Sequence, residues 1–138
     1  QLELSSLENL RLLSDQSETD LRSFLSYYLL TGDDVFIPAG NLSMGQRARL
    51  ALAILVLRGC NLLLLDEPAN HLDIPSRTQF EIALKEFNGS ILVAAHDRYF
   101  LQNFAQELWK LENGSMQVIS RAEAGEAYWQ ELVFQLGN

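Results

Sequence analysis

The chain has 138 residues, 48% of them hydrophobic, with seven Phe and two Trp. This is enough apolar material for one domain with a buried core, and it excludes a disordered chain. The formal net charge of −8 argues against electrostatic binding of nucleic acid by these residues.

Leu4, Leu7, Leu10 and Leu12-Leu13 recur at roughly helical spacing until Ser14 to Ser17 break the pattern. Thr19 is a candidate cap for a second helix, with Leu21, Phe24, Leu25, Tyr28 and Leu29 on one face. Gly32-Asp33-Asp34 ends it, and Pro38-Ala39-Gly40-Asn41 forms a second turn cluster. A long helix is predicted from Met44 to Arg58, and its second half, Leu50 to Leu57, is apolar on every face, as in a buried helix. Cys60, the single cysteine, excludes an internal disulfide and a Cys-rich metal site. It reads as a small buried residue before a strand, and its solitude suits a reducing cytosol.

Leu62 to Leu65 is an unbroken apolar run between Asn61 and Asp66, the pattern of a parallel strand covered on both faces. A helix follows from Pro75 to Phe87, with Pro at its start, and Asn88-Gly89 ends it. Ile91 to Ala94 reads as a second buried strand, and Arg98 to Phe104 as a helix. Glu107–Leu111 and Met116–Ile119, separated by Asn113-Gly114, form a hairpin pattern. The segment from Glu123 to Leu136 is predicted to be helical. No segment is long and apolar enough to span a bilayer, so no membrane insertion is expected, and no signal peptide is visible. The order predicts an α/β chain: a helical front, a parallel strand-helix middle, then a hairpin and a helix.

Four places carry candidate chemistry. Asp66-Glu67 sets two carboxylates at the end of a buried strand, where open α/β sheets bind ligands. Asp66 there could hold a Mg²⁺ and Glu67 could polarise a water; the plain alternative is a pair of solvated acids. Leu42-Ser43-Met44-Gly45-Gln46 opens the long helix, and its free N–H groups and partial positive charge suit a phosphate; taken alone, an ordinary Ser-capped helix start explains it better. His96 follows the second strand, at the same sheet edge as the acids if the strands are parallel, and could touch a phosphate. Asn70-His71-Leu72-Asp73 is a turn where polar groups could meet a partner.

Together, in this order, these segments resemble the ABC ATPase family: its signature motif, the Walker B strand with its acidic pair, the D-loop and the switch histidine. The resemblance runs from about Asn41 to Leu111. Leu65-Asp66-Glu67-Pro68, Asn70-His71-Leu72-Asp73-Ile74-Pro75-Ser76, His96-Asp97-Arg98-Tyr99-Phe100-Leu101 and Gly32-Asp33-Asp34-Val35-Phe36 look like the F subfamily, whose members are twin-cassette proteins without membrane domains, many acting on the ribosome. The resemblance implies a partial P-loop NTPase fold: a helical signature subdomain (1–41, continued by the signature helix 42–59), a catalytic-core part (60–120) and a C-terminal helix or linker start (121–138).

It also implies roles. Asp66 would coordinate Mg²⁺, Glu67 would be the general base, and His96 would contact the γ-phosphate. Ser43, Gly45 and Gln46 would contact ATP held by an opposing cassette, Asp73 would stand at the cassette–cassette interface, and Gln1 would be the Q-loop glutamine. The cofactors would be ATP and Mg²⁺, the partners a second cassette and the ribosome, and the compartment cytoplasmic. The same motifs would serve the nucleotide-binding subunit of a membrane transporter or a non-catalytic interaction module.

Two departures stand out. Met44 replaces the usual Gly at the third signature position, and Ala69 and Ala95 replace common hydroxyl residues. No Gly in the chain is followed by Lys, so the pattern G-x-x-x-x-G-K-[ST], whose backbone cradles phosphates, is absent from this sequence. The chain alone is therefore expected to hydrolyse no ATP.

Overall fold

A computed structural model describes residues 1–70 and 72–136. The chain divides into two compact units, Gln1–Val93 and Ala94–Asn138.

In the first unit, α1 (Ser6–Arg11) opens with a reciprocal cap: the Ser5 side chain accepts from the Glu8 backbone, and the Glu8 carboxylate accepts from the Ser5 N–H at 2.8 Å. The second helix, α2, spans Glu18–Tyr27, and its cap is Ser17, not Thr19. Ser17 wins because its hydroxyl lies three residues before an amide in need of an acceptor, that of Asp20 (3.2 Å). Leu7, Leu10, Leu21, Leu25, Leu30 and Val35 are buried in this unit. The turn clusters that follow α2 coil into short 3-10 segments, Gly32–Phe36 and Ala39–Asn41.

The long helix α3 spans Met44–Leu57 with Arg58 as its C-cap, close to expectation. Its apolar second half is not buried all round. Leu50, Leu52 and Ala53 are buried, whereas Ala51 and Leu55 are exposed and Ile54, Val56 and Leu57 are half-buried. Composition gave no face to this segment; its neighbours do. Cys60 is likewise half-buried.

β1 (Leu62–Asp66) and β2 (Ser90–Ala94) pair in a parallel two-stranded sheet, with α4 (Ile74–Lys85) between them in the chain. Such a crossover is what a parallel pair requires. The prediction of burial on both faces fails, because Leu63 is 2% exposed but Leu62, Leu64 and Leu92 are 52%, 70% and 44% exposed. Among the described residues, one face of this sheet is covered and the other is not.

The second unit contains α5 (Arg98–Phe104), β3 (Glu107–Glu112), β4 (Ser115–Ser120), α6 (Arg121–Ala124) and α7 (Glu126–Leu136). β3 and β4 pair antiparallel from Glu107↔Ser120 to Glu112↔Ser115. They are joined by Asn113 and Gly114, both at positive φ (49° and 76°), as a type I′ turn demands. Leu101, Leu108, Trp129 and Val133 form the core of this unit. The predicted final helix is two helices, broken at Gly125, whose φ of 76° no helix accommodates. Among the described residues, no helix is long and apolar enough to cross a membrane.

Candidate functional site

Ser43 is the N-cap of α3. Its hydroxyl accepts from the Gln46 N–H at 3.2 Å, and the Gln46 side-chain oxygen accepts from the Ser43 N–H at 2.9 Å. Two backbone donors of the helix start are thereby satisfied. The other end of the Gln46 amide donates to the Asp34 carboxylate at 2.9 Å. This fixes the amide's orientation and ties α3 to the first 3-10 segment. Ser43 is exposed, Met44 is 52% exposed and Gln46 half-buried. The turn thus presents Ser43, with its own hydroxyl hydrogen, at the positive end of a fourteen-residue helix.

Gly45 is buried and serves a close approach, but the neighbour is protein. A Cβ on Gly45 would lie 2.6 Å from the Ser76 Cβ and 2.8 Å from its Oγ. The start of α3 therefore presses on the first turn of α4. One turn along, Arg49 is 3% exposed and donates to the Gln79 side-chain oxygen. Burial lowers the pKa of Arg49, and the nearby Asp34 charge partly restores it.

Asp73 is the N-cap of α4: its carboxylate accepts from the Ser76 N–H at 2.9 Å, and Pro75 sits in the first turn. The Ser76 side chain first, then the Ser76 N–H, hold its pKa below the ordinary value. Of the turn that leads to it, Asn70 and Asp73 are exposed, and His71 lies outside the described residues.

Asp66 is the last residue of β1 and is exposed; Glu67 is half-buried. Glu67 adopts φ 45°, in the left-handed region that a residue with a Cβ rarely enters. Its carbonyl accepts from the Asn70 N–H at 3.0 Å, closing a turn. The chain therefore reverses at the strand end and leaves two adjacent carboxylates there. Such strain is characteristic of functional sites.

His96 lies in the second unit, exposed, two residues after β2. The next residue, Asp97, caps α5, accepting from the Phe100 N–H at 2.8 Å. Gln1 is exposed, and its carbonyl accepts from the Asn9 side chain at 2.9 Å. The structure brings the Ser43–Gln46 turn and the Asp73 turn together through Gly45 and Ser76; Asp66 and Glu67 belong to the first unit and His96 to the second. Sequence reasoning missed Asp34 and Ser76. The spacing of Asp73 and Ser76 signals a cap, but nothing local signals that Ser76 or Asp34 reaches α3.

The donor set bears on a metal. Among the described residues, no group of three or more His, Cys, Asp or Glu side chains could hold an ion. An exposed carboxylate such as Asp66 still fits Mg²⁺ in its usual setting of one or two carboxylates, waters and phosphate oxygens.

A family model described as "AAA domain, putative AbiEii toxin, Type IV TA system" matches residues 3–106. The chain is 43% identical over 100 residues to the "Putative ATP-binding protein YdiF" of Bacillus subtilis, covering 72% of this chain and 16% of YdiF. It is 44% identical over 92 residues to the "ABC transporter ATP-binding protein ARB1" of Saccharomyces cerevisiae, covering 67% of this chain and 15% of ARB1. The chain thus spans about a sixth of the curated relatives it matches. Among solved structures, the ATP-binding cassette MJ0796, in a dimeric post-hydrolysis state bound to ADP and Pi, superposes with a TM-score of 0.66 at 21% identity, over 87% of this chain and 58% of that one. The ADP conformation of the cassette MJ1267 gives 0.69 at 17% identity, over 96% and 59%. The fold is that of an ABC cassette, a P-loop NTPase architecture, and with the family match and these relatives the chain belongs to the ABC ATPase family.

Proposed function

We propose that this chain supplies the signature and Walker B portion of an F-subfamily ATPase that hydrolyses ATP on the ribosome, in translation or antibiotic resistance, in the cytoplasm. The observation that carries the catalytic part is the Asp66-Glu67 pair at the carboxyl end of β1, with Glu67 held in a left-handed turn. The helical subdomain (1–41), the signature helix (42–59), the core part (60–120) and the C-terminal segment (121–138) are the divisions this reading assigns.

Asp66 would bind Mg²⁺, which when present neutralises phosphate charge. Glu67 would accept the proton of the attacking water. His96 would donate to the γ-phosphate, and Gln1 would stand where the Q-loop glutamine does. The Ser43 hydroxyl and the backbone of Gly45 would offer donors to ATP on a second cassette, with Gln46 beside them and Asp73 at the interface. No residues of this sequence form a Lys-bearing phosphate loop, so the chain alone should not turn ATP over.

Glu67→Gln in the full-length protein tests the reading. It should cut ATP turnover by about 10²–10⁴-fold, the usual worth of a general base, while ATP binding persists and a nucleotide-bound dimer accumulates. Unchanged turnover would overturn it, and so would Mg²⁺-dependent hydrolysis by the 138-residue chain alone. The similarity to the ABC transporter ATP-binding protein ARB1 favours a second reading, a transporter's nucleotide-binding subunit. Co-sedimentation of the full-length protein with ribosomes separates the two.

A further inference from the structure

The closest approach at the start of α3 is made by Gly45, whose added Cβ would collide with Ser76 at 2.6 and 2.8 Å. Real Cβ atoms do not come so near one another, so the two helix starts meet at a spot with no room for any side chain on the α3 side. Ser76 is also the residue whose N–H holds the Asp73 carboxylate at 2.9 Å. One turn along, Arg49 and Gln79 bridge the same two helices. The turn that opens α3 and the turn that opens α4 are thereby joined at two successive levels.

We infer that Gly45 and Ser76 act as a packing lock between these two turns, which makes Ser76 a positioning residue: it sets Asp73 in place relative to Ser43. The inference rests on the proposal that both turns face a second cassette, because only then does their relative placement affect function. A displacement of one turn, as when a phosphate pulls on the α3 start, would be passed to Asp73 through contact rather than through a loop. Packed side chains without free volume transmit such shifts because they cannot absorb them.

The Ser76 amide reports on this contact, since its shift in an NMR titration follows ionisation of the carboxylate it donates to. Four versions of the chain should be compared: the parent, Gly45→Ala, Ser76→Gly and the double variant, with the Asp73 midpoint and thermal unfolding followed in each. Gly45→Ala should raise the Asp73 midpoint toward that of an ordinary aspartate and lower Tm. In the Ser76→Gly background, where the colliding atoms are gone, the same change should leave the midpoint where Ser76→Gly alone puts it and cost less in Tm. If Gly45→Ala alone does not fold, the double variant still should, and its failure would overturn the inference. So would an equal effect of Gly45→Ala in both backgrounds, or a lowered Tm with an unmoved midpoint, which is what a merely structural contact gives. No nucleotide or second cassette enters these measurements. Their failure is therefore distinct from failure of the ATPase reading, which the Glu67→Gln experiment decides.

Discussion

Gln46 shows how much a single side chain is asked to do. Its amide accepts from the Ser43 N–H and donates to Asp34, while its own N–H bonds the Ser43 hydroxyl. Replacing Asp34 by Ala leaves that cap in place but frees the amide, and it removes a charge that favours protonated Arg49. The expected loss is about 1–2 kcal/mol, typical for a hydrogen bond to a charged group that is only partly buried; urea denaturation of the chain measures it. A variant as stable as the parent would show that the 3-10 segment does not brace the α3 start.

At the scale of the element, helix starts recur as the organising device. α1, α2, α3, α4 and α5 open on Ser5, Ser17, Ser43, Asp73 and Asp97, each with a side-chain oxygen on a first-turn amide. Three exposed carboxylates have lowered pKa values: Glu8 through the Ser5 N–H and then its hydroxyl, Asp73 through Ser76, and Glu126 through Arg121. Because their folded values lie below their unfolded ones, the unfolded chain binds more protons in acid. Their contribution is therefore present above the ordinary carboxylate range and is lost as pH falls through it toward the lowered folded values. Tm should decline progressively below about pH 4.5, the ordinary Glu value, and Asp73→Asn should flatten part of that slope. A slope unchanged in Asp73→Asn would remove Asp73 from the acid response.

At the scale of the molecule, the uncovered face of the parallel sheet stands out. Leu62, Leu64 and Leu92 present apolar side chains to solvent from adjacent strands, and exposed apolar sheet surface favours association. Leu64→Lys should cost under about 0.5 kcal/mol, as an exposed substitution does, yet reduce light scattering at high concentration. A chain that already scatters as a monomer would refute the expected association.

Much of this was legible beforehand. The α3 boundaries, α5, the hairpin with its Asn113-Gly114 turn and both parallel strands follow from periodicity, caps and turn residues, which act over a few neighbours. The acidic pair was legible for the same reason: an apolar run must end, and what ends it is written next to it. What failed was burial. A run of four leucines reads as buried on both faces, and whether it is depends on which other elements arrive to cover it. The cap of α2 was placed at Thr19 rather than Ser17, since several polar residues nearby compete for the role, and the break at Gly125 was not foreseen in a segment read as one helix.

The sequence by itself determined the order of helices and strands, most of their ends, and which residues carry charge at their tips, because these depend on local hydrogen bonding and side-chain period. Only the tertiary structure decided that Gly45 abuts Ser76, that Asp34 holds Gln46 and that, among the described residues, one face of the sheet is uncovered. Each of these joins residues far apart in the chain, and their meeting is fixed by packing, which no local pattern encodes.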